Sequence, residues 1–334
     1  MERLFVSIVM PTFNSARTLE AALAAIKNQN YPADKVEIII ADAGSTDKTR
    51  QIANKYTNLI FDNPLTTGEA GKAVAVKKAK GDIVALIDSD NILPTNDWLE
   101  KMVAPFDDPE IIGSEPLEYT YRPTDHYITR YCALIGMNDP LCYFLGNYDR
   151  YSFLSKKWNG LQIKVEEQDD YLKVFLEPGK MPTIGANGTM IRKQYLQNVG
   201  DYLMDIDIIY DLVASGKNKF AKVKVGIIHL FGGSLKTFYR KQKRRVKDYL
   251  YFKDKGNRSY PWKSQSRVGL VKFVVYCLLI FPLIFQSIIG FCRRRDWVWF
   301  LHPVFCWITF WVYGWGTIFS LWHKEQMSRE KYGQ

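Results

Sequence analysis

The first third of the chain alternates short β-branched runs with amphipathic stretches. Runs at residues 5–10, 36–41, 59–61 and 83–87 have the length and composition of buried strands. Between the first two, Leu19, Ala22, Leu23 and Ile26 share one face of a 3.6-residue period and predict a helix over 18–28. A Ser-Thr-Asp signal opens a second helix over 47–56, and a third runs over 71–79 to a stop at Gly81. Strands alternating with such helices predict βαβ units on a mostly parallel sheet, hence an α/β fold. Residues 105–182 carry many aromatics and prolines without a sustained period, and predict a mixed region with long loops, some of them functional. A helix over 205–214 and an apolar run over 223–228 follow.

The C-terminal pattern is different. Residues 268–291 form a run of 24, interrupted only by Lys272, Pro282 and Gln286, long enough at about 1.5 Å per residue to cross a bilayer core of roughly 30 Å. Residues 297–322 form a second run with tryptophans near both ends, the placement of an aromatic belt. Residues 292–296 alone separate the two, so a pair of crossing helices would form a tight hairpin tipped by Arg293, Arg294 and Arg295. That tip opposes the positive-inside rule, and a hairpin dipping into one leaflet is the alternative; a buried soluble hairpin is the bland one. The short run 4–10, broken by Pro11 and Thr12, reads as a strand of a cytoplasmic protein rather than a signal peptide.

Composition sharpens this picture in two places. With 334 residues, 47% of them hydrophobic, the chain can fill one large domain or two ordinary ones, which excludes a disordered chain or a small disulfide scaffold. The net charge of +10 is local: residues 236–272 hold 13 basic residues against 2 acidic, leaving the remainder nearly neutral. A basic block running into the most apolar part of the chain favours anionic phospholipid over nucleic acid as its partner. Residues 236–253 read as an interfacial helix whose basic face meets phospholipid while Phe238, Tyr249, Leu250 and Phe252 insert. Cys132, Cys142, Cys277, Cys292 and Cys306 show neither zinc nor disulfide spacing. The divisions that follow are a catalytic domain over 1–235, a basic interface segment over 236–267, two transmembrane or re-entrant helices over 268–322 and a polar tail over 323–334.

Ligands of open α/β sheets bind beyond the carboxyl ends of the strands. Those ends carry Pro11, Thr12, Phe13 and Asn14 after the first run, 42–47 after the second, and Asp88, Ser89 and Asp90 after the fourth. Each cluster alone makes a turn; together they bring carboxylates to one edge. Two acids one residue apart suit a hard divalent cation that bridges a substrate diphosphate. A dinucleotide fold lacks its G-x-G-x-x-G here, and a P-loop is excluded by Thr66 at its first glycine and Ala73 at its Ser/Thr position. The acids Glu166, Glu167, Asp169 and Asp170 read as a solvated face.

The P-T-F-N segment, the run Ala41-Asp42-Ala43-Gly44-Ser45-Thr46-Asp47 and Asp88-Ser89-Asp90 resemble, in order, the nucleotide-sugar half of family 2 glycosyltransferases with the GT-A fold. The resemblance implies a GT-A nucleotide-sugar-binding fold followed by an interfacial helix and two C-terminal membrane helices. It places Pro11, Thr12, Asn14 and Ser89 at the donor, gives Asp42 the base contact, Lys72 the basic position near the donor, Asp88 the ribose side and Asp90 the metal and diphosphate. Gly185, Ala186 and Asn187 resemble the acceptor-side G-x-N strand. Asp205 matches the acid that takes a proton from the acceptor hydroxyl, with a helix cap as its alternative role and Asp207 as the second candidate base. In some members a histidine at the position of His229 joins the metal; a structural histidine is the other reading. Gln242 and Arg245 match the Q-x-x-R-W motif at the membrane surface. The chain departs from the family at Ala43, Ala73, Met204 and Val246.

The implied enzyme is an inverting glycosyltransferase of the hexosyltransferase class. It moves a sugar from a nucleotide-diphosphate donor, UDP-sugar before GDP-sugar, to a hydroxyl of a membrane lipid or lipid-linked saccharide. Mn²⁺ or Mg²⁺ is the implied cofactor, and the cytoplasmic membrane the implied location, with the domain facing the cytoplasm. A polyprenyl-phosphate sugar synthase and an inactive membrane-anchored scaffold subunit are the alternatives.

Overall fold

The computed structural model describes residues 3–254, 258–261 and 266–318. Three βαβ units open the fold: β1 (Val6–Thr12), α1 (Ala16–Lys27), β2 (Val36–Asp42), α2 (Thr49–Ala53), β3 (Ile60–Asp62), α3 (Gly68–Lys78) and β4 (Ile83–Leu86). Every residue of β1 and β4 is buried, because helices cover both faces of a parallel sheet and leave no polar side to alternate with. The register Val9↔Ile39 and Val9↔Leu86 aligns the carboxyl ends of β1, β2 and β4 at one edge.

The chain continues through β5 (Asn91–Ile92), α4 (Trp98–Val103), β6 (Gly113–Tyr119), α5 (Tyr127–Ile135), α6 (Leu141–Leu145), β7 (Lys164–Glu167), β8 (Tyr171–Phe175), β9 (Thr189–Arg192), α7 (Asp205–Ala214) and β10 (Lys219–His229). The sheet order is β3-β2-β1-β4-β9-β6-β10-β8-β7, with β5 paired to β10. The expectation of a mostly parallel sheet is corrected here. The β3-β2-β1-β4 half is parallel, but β9 runs antiparallel to both β4 and β6, and β8 and β7 add two more antiparallel ladders. The pattern concealed this because residues 105–182 supply strands without crossover helices, and hairpins need none. The exposed acids Glu166, Glu167, Asp169 and Asp170 lie on the β7–β8 edge hairpin, where charge discourages edge pairing.

Among the described residues four α-helices follow: α8 (Leu235–Asp254), α9 (Arg267–Leu279), α10 (Phe281–Arg293) and α11 (His302–Ile318). The apolar run over 268–291 is not one continuous helix. It breaks at Ile280, whose φ is +62°, and α9 and α10 meet there at 97°. Pro282, in the first turn of α10, is the cause: it has no N–H to continue the α9 ladder and its ring excludes the carbonyl four residues back. Among the described residues no single helix is long and apolar enough to cross a membrane, whereas the bent pair passes that test together by length and composition. The end of the second apolar run, with Trp322, and the polar tail over 323–334 lie outside the described residues.

Two of the side chains expected to enter lipid from α8 are inside the protein. Phe238 is fully buried against Phe231 and Phe305, and Phe252 is buried against Tyr202. The α8 helix is therefore a wall of the domain: Phe238 packs on α11, where Tyr313 Oη also donates to Gln242 Oε1 at 3.1 Å.

Candidate functional site

The two motifs after β1 and β2 build one structure. Asn14 sits in the left-handed region (φ +46°), which asparagine tolerates, and its Oδ1 accepts from the backbone N–H of Thr46 at 2.9 Å. The Asn14 N–H in turn donates to Ser45 Oγ at 2.9 Å. Asp42 lies just behind: its carboxylate accepts from Thr12 Oγ1 at 2.8 Å, Ser45 Oγ at 2.6 Å and Ser45 N at 2.9 Å, with Arg50 at 3.6 Å. Thr12 and Asp42 thus fasten the strand ends to each other.

A cleft of about 440 Å³ opens above this edge, a volume that suits a ligand of nucleotide size. Asn14, Lys72, Asp88, Ser89, Asp90, Asn187, Asp205, His229 and Arg245 line it together, although they are scattered over more than 230 positions of sequence. Pro11, Thr12, Asp42, Gly185, Ala186 and Gln242 are not among its lining residues.

On one wall, α3 carries Lys72. A Cβ at Gly71 would stand 2.8 Å from Pro11 Cβ, so glycine is what lets α3 approach β1 closely enough to aim the next side chain inward. Lys72 is buried, and its Nζ meets Asp205 Oδ2 at 3.3 Å at the start of α7. Burial alone would lower the Lys72 pKa, but the carboxylates of Asp205, Asp88 and Glu69 outweigh it and hold the ammonium well above its ordinary range. Asp207 faces elsewhere: its carboxylate accepts from the N–H groups of Ser259 at 2.8 Å and Tyr260 at 2.9 Å and pairs with Arg258 at 3.2 Å. It anchors that segment to α7.

Also lining the cleft, His229 Nε2 lies 3.6 Å from Asp90 Oδ2. The other ring nitrogen of His229 is buried and makes no hydrogen bond with a described residue. No group of three His, Cys, Asp or Glu side chains that could hold a metal occurs among the described residues. The fit is to a hard cation that takes one or two protein ligands, its remaining sites going to phosphate oxygens and water.

Sequence reasoning missed several residues of this site. Lys241 and Arg244 line the cleft beside Arg245, because one helical face presents 237, 241 and 244–245 while Gln242 turns into the core. Lys241 Nζ donates to Phe231 O at 2.5 Å and lies 4.0 Å from the Phe231 ring centre; burial pushes its pKa down to about 8, against the pull of Asp90. Applying helical periodicity to the Q-x-x-R segment would have found both. Asn91 and Asn138 were invisible, whereas Asn187 was expected. Asn187 Oδ1 accepts from Asn91 Nδ2 at 3.2 Å, its Nδ2 donates to Tyr119 Oη at 3.1 Å, and Asn138 donates to the same hydroxyl at 3.3 Å. Behind them Arg150, fully buried, donates to the Asn187 carbonyl at 2.9 Å and pairs with Glu115 and Asp149, while Lys222 pairs with Glu115 at 2.6 Å.

The sequence model described as Glycosyl transferase family 2 matches residues 7–200. Glycosyltransferase AglE of Haloferax volcanii is 27% identical over 141 residues, which is 40% of this chain and 46% of that protein. The UDP-Glc:alpha-D-GlcNAc-diphosphoundecaprenol beta-1,3-glucosyltransferase WfgD of Escherichia coli is 31% identical over 100 residues, 29% of this chain and 39% of that protein. The chain therefore matches less than half the length of these curated relatives. Among solved structures, the mannosyltransferase PcManGT from Pyrobaculum calidifontis, in complex with GDP-Man and Mn²⁺, has a similar fold, with a TM-score of 0.53 at 17% identity over 97% of this chain and 89% of that one.

Proposed function

The chain belongs to glycosyl transferase family 2, and from that premise we propose that it carries out an inverting transfer of a sugar from a nucleotide-diphosphate donor, UDP-linked by preference, to a hydroxyl of a membrane lipid or lipid-linked saccharide. One observation carries the reading: the Asp90–His229 pair and the Lys72–Asp205 pair line a single cleft.

The acceptor oxygen attacks the anomeric carbon as the bond from that carbon to the diphosphate oxygen breaks. Asp205 accepts the hydroxyl proton, and the nucleoside diphosphate leaves with the bonding pair. A single displacement of this kind inverts the anomeric centre. Lys72, Lys241, Arg244 and Arg245 face the departing charge. A divalent cation held by Asp90 and His229 supplies further charge neutralisation at the diphosphate when bound. A polyprenyl-phosphate acceptor, already ionised, would give Asp205 no proton to take. WfgD, named for a diphosphoundecaprenol acceptor, supports an acceptor carried on lipid; an enzyme with such an acceptor works at the cytoplasmic membrane, in this proposal with its domain on the cytoplasmic side and phospholipid as its neighbour.

The test is calorimetric titration of the detergent-purified protein with UDP and GDP, with and without Mn²⁺, for the wild type, Asp90→Ala and Asp205→Asn. The reading expects metal-dependent binding of one nucleotide, lost in Asp90→Ala and kept in Asp205→Asn, whose transfer activity is lost. Normal turnover by Asp205→Asn removes that residue as the base, and a product that behaves as an acid-labile lipid monophosphate moves the acceptor to a polyprenyl phosphate.

A further inference from the structure

All three C-terminal helices expose large apolar side chains, and α10 and α11 bury uncharged polar ones. On α9, Val268, Val271, Val275, Leu278 and Leu279 are exposed while Gly269, Phe273 and Cys277 are buried. On α10, Phe281 is 80% and Phe285 63% exposed, whereas Gln286 and Ser287 are buried. On α11, Trp307, Trp311 and Trp315 are exposed, whereas His302 and Thr309 are buried. His302 occupies a polar network, its Nδ1 2.7 Å from Tyr131 Oη on α5 and its Nε2 3.0 Å from Gln286 Oε1. Large apolar side chains exposed on three helices that pack against one another mark an interaction surface.

The turn after α10 returns to the catalytic domain. Arg293 donates to the backbone carbonyls of Phe153 and Leu154. Asp296 is buried, accepts from Tyr121 Oη at 2.8 Å and pairs with Arg130 at 3.4 Å, and Arg294 covers the Tyr121 ring at 5.0 Å. Val298 and Trp299 then enter the same core as Ile128 and Tyr131 of α5. A hairpin whose tip is fastened to the domain that precedes it cannot deliver that tip across a bilayer.

We infer that α9, α10 and α11 form a monotopic platform that seats in one lipid leaflet, the Arg293–Arg295 turn staying at headgroup level beside the catalytic domain. Charge selects the occupant. The exposed cations Arg267 and Lys272 at the start of the bent pair and Arg293, Arg294 and Arg295 at its end bracket the apolar elbow, and Asp296, buried, is the one acid among the described residues of 266–318. This is the arrangement that anionic headgroups over an acyl layer recognise. The inference stands apart from the transfer reaction.

Exposed Cys292, beside the tip, is a native reporter; Cys132, Cys277 and Cys306 are buried, and Cys142 is half-buried. The full chain is bound to sealed vesicles of phosphatidylcholine with about 30% phosphatidylglycerol and treated with a membrane-impermeant maleimide, with Cys292→Ser as control. The platform predicts labelling of Cys292 without permeabilisation. Labelling only after a pore-forming toxin opens the vesicles means that the tip has crossed, and protection even then means that it is sunk in lipid; either result overturns the inference. In parallel, Phe281→Asp/Phe285→Asp should cut flotation with these vesicles by about tenfold or more while nucleotide binding, the check on folding, is unchanged. Undiminished flotation of that variant, or a wild-type chain that ignores vesicles and dimerises through this face, also overturns it.

Discussion

Lys72 and Asp205 are 133 positions apart in sequence, yet their side chains meet at 3.3 Å in the lining of the cleft. The ammonium compensates the carboxylate at Oδ2, and Oδ1 accepts from the Ile206 N–H at 3.2 Å; in the proposed transfer this carboxylate takes the hydroxyl proton. Asp205→Asn preserves the shape and the contact with Lys72 but removes the basic oxygen. Its kcat should fall by about 10²- to 10⁴-fold with the Kd for UDP nearly unchanged, as read by steady-state kinetics beside calorimetry.

The Asp90–His229 pair predicts a graded response to metal. Removal of divalent ions by a chelator should abolish nucleotide-dependent heat, and added Mn²⁺ should restore it. His229→Ala should weaken Mn²⁺-supported UDP binding by about tenfold or more, seen in titrations of the metal followed by electron paramagnetic resonance. Equal Mn²⁺ response in wild type and His229→Ala would leave His229 a purely structural role.

Lys241 predicts a pH dependence of both stability and binding. Its folded pKa of about 8 lies below the ordinary value of 10.5, so between those values the unfolded chain binds the extra proton and stability rises with pH. A diphosphate in the cleft favours the ammonium, so binding near pH 8 should take up a proton, measurable from calorimetry in buffers of different ionisation heat. Lys241→Met should lose the proton uptake and flatten the rise in Tm.

The buried cluster of Glu115, Asp149, Arg150 and Lys222 predicts asymmetric costs. Glu115→Gln leaves two buried cations facing Asp149 alone and should cost about 3–5 kcal/mol. Replacing Glu115 and Lys222 together by Leu and Met should cost much less than the sum of the single changes. Thermal denaturation of the wild type, Glu115→Leu, Lys222→Met and the double variant closes the cycle.

The parallel half of the fold was legible because β1, β2 and β4 are buried on both faces and write themselves as continuous apolar runs. Helix α7 was legible over the full span Asp205–Ala214. The antiparallel half was not, since β9 has four residues and its partners are set by long-range pairing with β4 and β6 rather than by local pattern. In the site, acidic residues at strand ends announced themselves through the turns they occupy. Asn91, Asn138 and Arg150 did not, because a single buried amide or guanidinium leaves no periodic trace; their roles exist only once Tyr119 and Asn187 are brought beside them. The break at Ile280 was foreshadowed by Pro282, but composition alone counted the run as continuous.

One side of α8 carries Lys241, Arg244 and Arg245 into the cleft, and the other rests on α11, whose tryptophans face outward. Helices α8 and α11, about 10 Å between neighbouring axes, thus separate the cleft from the apolar face. With that face seated in a leaflet, an acceptor carried on a lipid reaches the cleft by lateral diffusion, and the encounter is a two-dimensional search. Turnover then follows the mole fraction of acceptor in the surface rather than its concentration in the tube. Diluting the acceptor with inert lipid slows the enzyme even when the bulk amount of acceptor is held constant.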